Sequence, residues 1–264
     1  MKPRFASDVY AGRASMVVLR NFYAIKSSSW YVVLSGFFEP VFYLMSFGLG
    51  LGAMVGAVNG PHGQAVPYAA FLAPALLATS AMNGAIYDST WNVFFKLKFA
   101  RLYDGMVATS LGTFDIALGE IGYALIRGLV YSLGFMAVMY AWGLVLSPWG
   151  FLAIGAASLI AFAFAACGMA ITSYLTTFQE MDWINFLMLP MFLFSATFYP
   201  LTVYPPWIQT LIQCLPLWQG VELMRGLTLG TPDWGLLTHV AYFCVMIVVG
   251  LTFTTRRLTW LFMR

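Results

Sequence analysis

The chain has 264 residues, of which 61% are hydrophobic and only 9% charged, with a net charge of +3 and a mean hydropathy of +0.81. A soluble domain carries about 25% charged residues because its surface faces water, so this composition excludes a water-soluble globule. The chain reads as an all-α polytopic membrane protein, a single 1–264 transmembrane unit.

The first stretch, from about Asp8 to Lys26, mixes Val9, Met16, Val17 and Phe22 with Arg13 and Arg20, two arginines on one helical face. That pattern suits a helix lying along the cytoplasmic membrane surface, and a solvated basic arm is the alternative. Residues 1–30 lack an apolar core of signal-peptide length, so the first span is expected to be retained as an anchor. A helical crossing needs about 20 mostly apolar residues. Six segments meet that length, at about Tyr31 to Met54, Pro67 to Trp91, Ile116 to Leu144, Trp149 to Tyr174, Trp183 to Tyr204 and Trp234 to Thr255. Residues 31–255 are therefore predicted to form a six-span bundle, with 1–30 as an arm and 256–264 as a tail.

The stretch from about Pro205 to Thr231 is broken by Pro205, Pro206 and Pro216 and contains Gln209, Gln213, Gln219, Glu222 and Arg225. It is too polar to cross lipid alone, and irregular backbone at membrane depth needs protein or water to satisfy it. A helical hairpin re-entering the outer leaflet between spans five and six is expected. Lys and Arg favour the cytoplasmic side. They precede span one (Lys2, Arg4, Arg13, Arg20, Lys26) and follow span two (Lys96, Lys98, Arg101) and span six (Arg256, Arg257, Arg264). Both termini are thus predicted to be cytoplasmic, with Arg225 alone assigned outside.

Several chemistries are missing. The lysines are at positions 2, 26, 96 and 98 and none follows a glycine, so a phosphate-binding GxxxxGK[ST] loop is impossible here. Gly48-Leu49-Gly50-Leu51-Gly52 sits in an apolar span. Its glycines, with Gly56, suit close helix packing, whether within the chain or against another subunit. Cys167, Cys214 and Cys244 show no disulfide or zinc spacing. His62 and His239 lie in different segments, and no nucleophile–base pair stands out.

Ionisable residues inside spans are costly and usually face the bundle interior or a pathway. Glu39, followed by Pro40, either lines a conduit and stabilises a kink or serves as a structural partner, for instance of Arg127. Glu120 and Arg127 lie about two turns apart on one face, roughly 10 Å, so each needs a different partner. Asp88 is expected at the inner interface.

The chain resembles the membrane subunit of ABC-2 type exporters, especially permeases of nodulation-type lipooligosaccharide and daunorubicin-resistance systems. The likeness rests on motifs in order along the chain. Glu39-Pro40-Val41-Phe42-Tyr43-Leu44 leads to Phe47-Gly48-Leu49-Gly50-Leu51-Gly52. Tyr68 follows with Phe71-Leu72-Ala73-Pro74, then Tyr103-Asp104-Gly105-Met106-Val107-Ala108-Thr109-Ser110-Leu111 and Asp115-Ile116-Ala117-Leu118-Gly119-Glu120. The last is Phe194-Ser195-Ala196-Thr197-Phe198-Tyr199-Pro200, with Leu215-Pro216-Leu217 and Val221-Glu222-Leu223-Met224-Arg225-Gly226. Many relatives have Thr-Pro where Thr109-Ser110 stands, and often Gly at Ala196.

The resemblance implies a plasma (inner) membrane permease working as a dimer, with a separate ABC ATPase subunit carrying ATP and Mg. It implies no cofactor in this chain and no nucleic-acid partner. The cargo would be amphipathic or lipid-linked: a glycolipid, a lipid or a drug. It also implies that the loop of Arg101, Leu102, Tyr103, Asp104, Met106 and Val107 couples to the ATPase. In a short helix those residues carry an apolar stripe suited to a groove on a partner. Pro216, Glu222 and Arg225 would belong to the outer re-entrant segment. A secondary transporter or channel, which would show midplane charges or an inverted repeat, and an intramembrane lipid-modifying enzyme are the other classes considered.

Overall fold

The computed structural model describes residues 9–26, 38, 40–60 and 63–262. The first helix, α1 (Ala14–Lys26), is followed by α2 (Pro40–Val55), whose middle is a π-helix over Leu44–Leu51. Gly48 of α2 packs on Ala69, where an added Cβ would sit 3.4 Å from the Ala69 Cβ. Gly56, at φ +72°, ends the helix. The chain then forms a two-stranded antiparallel hairpin, β1 (Ala57–Asn59) and β2 (Ala65–Pro67), with Val58 opposite Val66. This hairpin departs from the predicted all-α fold. Gly56 turns the chain into it, and Gly60 donates its backbone N–H to the Gln64 carbonyl across the turn.

Among the described residues, four helices are long and apolar enough to cross a membrane: α3 (Tyr68–Phe99), α5 (Thr113–Ala141), α6 (Pro148–Tyr174) and α10 (Leu236–Phe262). They coincide with predicted spans two, three, four and six. Between them lie α4 (Leu102–Val107), α7 (Asp182–Phe194), α8 (Pro206–Gln213) and α9 (Pro216–Thr228). The six-span expectation is not met among the described residues. The helix of the first predicted span is described only from Pro40. The fifth stops at Phe194, where Ser195, Ala196 and Thr197 form a buried irregular turn.

Sequence accounts for which helix stands at the centre. Along α3, Ala70, Ala73, Ala75, Ala78, Ala81, Gly84 and Ala85 put small residues on every face, and all are buried. Small side chains let neighbouring backbones approach closely where lipid offers no hydrophobic drive between helices. Helices α2, α5, α6 and α9 accordingly pack around α3. By contrast, α10 buries a narrow stripe of Phe243, Gly250, Thr254 and Leu258, laid against α6. Val240, Met246, Ile247 and Leu251 flank that stripe half-buried, while Leu237, Val245, Val248, Val249 and Phe253 face outward, as suits a helix at the lipid boundary.

Candidate functional site: a polar node at the base of the bundle

The site is built around the first turns of α5. Asp115, at the third position of that helix, is fully buried and bonds three backbone N–H groups. Its Oδ2 accepts from Ala11 at 2.6 Å and Gly112 at 3.0 Å, and its Oδ1 accepts from Arg13 at 2.9 Å. A carboxylate there also favours the positive end of the helix dipole, and charge-assisted bonds of this kind are about twice as strong as neutral ones. The arm preceding α1 is thereby clipped to the end of the α4–α5 loop. Arg13 adds a bond to the Ser110 hydroxyl. The fit leaves no room for a side chain at Gly112, whose Cβ would lie 2.2 Å from the Val9 carbonyl oxygen. At Gly119 it would lie 2.4 Å from the Val17 Cβ. Helix α1 therefore rests directly on the backbone of α5.

One turn further along α5, Glu120 is buried at 2% exposure. Its Oε2 accepts from the Lys96 ammonium at 2.6 Å and from the Asn21 amide at 2.9 Å, while Lys96 also donates to the Asn21 Oδ1 at 2.9 Å. Tyr103 of α4 is fully buried beside this carboxylate. Burial, and then the Glu120 charge, hold its phenol well above the usual range. Four elements meet here: α1 through Asn21, the end of α3 through Lys96, α4 through Tyr103 and α5 through Glu120.

Two further polar clusters lie above. Asp88, expected at the inner interface, is buried within the fold at 3%. It binds the Arg127 guanidinium at 2.9 Å, and Arg127 Nε donates to the Tyr131 hydroxyl at 2.9 Å. Asp88 opens a π-helical turn of α3 (Asp88–Asn92). Glu120 and Arg127 thus have separate partners, as their spacing demanded. Glu39, suggested for Arg127, lies outside the described residues, while Pro40 is buried at the start of α2.

On the opposite side of the fold, Arg225 is buried at 1%. Its Nη2 donates to the Ala196 and Thr197 carbonyls at 2.7 and 3.3 Å, and its Nη1 to Glu222 at 3.1 Å. The guanidinium sits 3.8 Å from the Phe71 ring centroid. This arginine satisfies the irregular turn that ends α7, where a continuous fifth helix was expected. Ala196 adopts φ +54°, a region that favours glycine. Pro216 starts α9, where its missing N–H costs nothing.

The coupling-loop residues divide differently from the expected stripe. Tyr103 and Met106 face the protein's own interior, with Tyr103 edge-on to Phe262 at 6.4 Å, and Leu102 and Val107 are half-buried. The exposed face consists of Arg101, Asp104, Gly105 and residues 108–110. The stripe is therefore already occupied within the chain, and a partner meets a more polar surface. Sequence reading treated Lys96 as a topology signal and Asp115 as part of a motif, and it passed over Asn21. The one available signal was Asp115 itself, three residues after Gly112 at a helix start.

A bundle of long apolar helices with paired charges buried inside it marks an integral membrane protein. Residues 14–229 match the ABC-2 type transporter family, and the chain belongs to that family. Among its relatives is Nodulation protein J of Sinorhizobium fredii, 32% identical over 231 residues, covering 87% of this chain and 86% of that one. The Rhizobium leguminosarum bv. viciae protein of the same name is 31% identical and covers 93% of each chain. The Escherichia coli inner membrane transport permease YadH is 26% identical over 78% of each.

Proposed function

We propose that the chain is the permease of an ATP-driven exporter. It would move an amphipathic or lipid-linked molecule outward across the inner membrane, as a pair of copies driven by a separate ABC ATPase that binds ATP and Mg. The observation that supports this most is the node at the base. The α4 helix buries Tyr103 beside the Glu120–Lys96–Asn21 cluster while its Arg101, Asp104 and Gly105 face is exposed. A displacement of α4 by a partner is then passed to α1, α3 and α5 together, because packed elements shift as units. In this reading residues 1–264 form one domain, with both termini cytoplasmic. The first crossing includes α2, with Glu39 and Pro40 lining the conduit or holding its kink. The fifth crossing is α7 with its turn, and α8–α9 is the hairpin of the outer leaflet.

The test is reconstitution of the chain with and without its ATPase, together with photocrosslinking from Asp104 and Ala108, using Tyr103 as the buried control. ATP-dependent transport is expected only with both subunits, and crosslinks to the ATPase from Asp104 and Ala108 alone. ATP hydrolysis by the chain by itself, or labelling of a cysteine at Asp104 from outside sealed cells, would overturn the assignment.

A further inference from the structure

Arg256 and Arg257 lie near the end of α10, at the level of the base. Thr259 of the same helix shares a hydrogen bond with Thr113 of α5 at 2.9 Å. Arg257 points away from that contact, because Thr259 is two positions on, about 200° around the helix. The Arg257 guanidinium sits 4.7 Å from the ring centroid of Tyr174, the last residue of α6, and 4.4 Å from that of Trp260. Its Nε donates to the Ser173 carbonyl at 3.4 Å. Both rings are exposed. Arg256 beside it is exposed and makes no bond among the described residues. Neither arginine has a carboxylate within ion-pair distance there. The loop that leaves Tyr174 runs to the end of α3, where Phe178 packs on Trp91 and Phe95.

A basic side chain at a helix C-terminus is favourable by itself, and Arg257 serves the end of α6 in that way. That contact engages one of the five guanidinium donors, however, and accounts for nothing at Arg256. Exposed tyrosine and tryptophan at helix ends mark the headgroup layer, so the ring faces hold the Arg257 fork at that depth. Toward the bilayer, Phe253, Val249 and Val245 follow Arg257 back along α10 at four-residue steps, and Ile171 stands one turn before Tyr174 on α6. All four are exposed. Two unpaired cations therefore crown an apolar, lipid-facing surface. A phosphodiester presents two oxygens that match the planar fork, and basic sites between helices at the cytoplasmic face suit anionic headgroups. A free phosphate would use the fork but not the stripe below it, whereas a phospholipid uses both.

We propose that Arg256 and Arg257, with Tyr174 and Trp260, hold the headgroup of an anionic phospholipid at the α6–α10 edge. The lipid is a fixed neighbour of the fold and is not carried across. Its assignment to the inner leaflet rests on the cytoplasmic termini of the permease reading, whereas the recognition of its charge does not.

The probe is an equal mixture of phosphatidylglycerol and phosphatidylcholine with identical acyl chains, added to the full chain in micelles. Native mass spectrometry counts the lipid that stays bound. Phosphatidylglycerol should be retained in preference, with each arginine contributing about fivefold. Arg257→Gln and Arg256→Gln should each lose about that factor, the double variant should show parity, and Lys98→Gln, a cation at the end of α3, should match the unaltered chain. Arg256 touches nothing else among the described residues, so its variant carries the test if Arg257→Gln unfolds, which melting in phosphatidylcholine alone reveals. Parity in the unaltered chain, or an equal loss in Lys98→Gln, would overturn the proposal. So would displacement of the lipid by inorganic phosphate, which would mark a free-anion site, or a crosslink from a photoprobe at Trp260 to the ATPase, which would mark a protein contact. Retention is read on the chain alone and in either orientation, so its failure leaves the transport test standing, and failed transport leaves retention intact.

Discussion

Removing the Glu120 carboxylate tests whether the base of the bundle is held by its polar node. In Glu120→Ala the Lys96 ammonium loses its 2.6 Å partner and the Asn21 amide loses its 2.9 Å acceptor, both in a site where Glu120 itself is 2% exposed. Breaking a buried pair from one side costs about 3–5 kcal/mol. The Lys96 side chain is 13% exposed and can shift its charge toward water on its flexible stem. The expected loss therefore sits at the low end, about 3 kcal/mol. At about 2–4 °C per kcal/mol for a chain of this size, the melting temperature should fall by roughly 6–12 °C. Lys96→Met in the same background should recover part of that loss, because no unpaired charge remains, giving a coupling of about 1–3 kcal/mol in the double-mutant cycle. Melting of the purified chain in nanodiscs measures all four corners. Additivity within about 0.5 kcal/mol, or a melting temperature unchanged in Glu120→Ala, would show that the node carries neither stability nor coupling between α3 and α5.

Two further substitutions probe the outer turn by thermal melting. Ala196→Gly should be neutral to about 1 kcal/mol stabilising, since relief of the left-handed backbone outweighs the added freedom of the unfolded chain. Ala196→Val should be clearly destabilising. Arg225→Met should cost at least about 2–3 kcal/mol, because the Ala196 and Thr197 carbonyls lose their donor. Arg225→Lys should rescue little of it, because one ammonium cannot reproduce the planar fork. Equal stability of the lysine variant would refute the fork argument.

The sequence by itself determined the membrane class, four of its six expected spans as long apolar helices, of which α3 and α10 run on to Phe99 and Phe262 past the expected ends, and the rule that Glu120 and Arg127 must have different partners. Each follows from local quantities: apolar run length, charge scarcity and helical rise. The family likeness was also legible, through motifs that fall in loops and helix starts. What only the tertiary structure decided concerns meetings between distant segments. Asn21, Lys96 and Tyr103 converge on the Glu120 carboxylate, although Asn21 lies 99 residues from it in the chain. The apolar stripe of α4 has the same period whether it faces a partner or its own bundle, and periodicity does not record which. The fifth predicted span broke at Ser195 because Arg225, 29 residues from Ala196, supplies the donors that let the backbone leave the helix at that point. Hydropathy sums residues along a line and contains no term for a hydrogen bond brought from elsewhere, so the break and the node came into view only once the helices were packed.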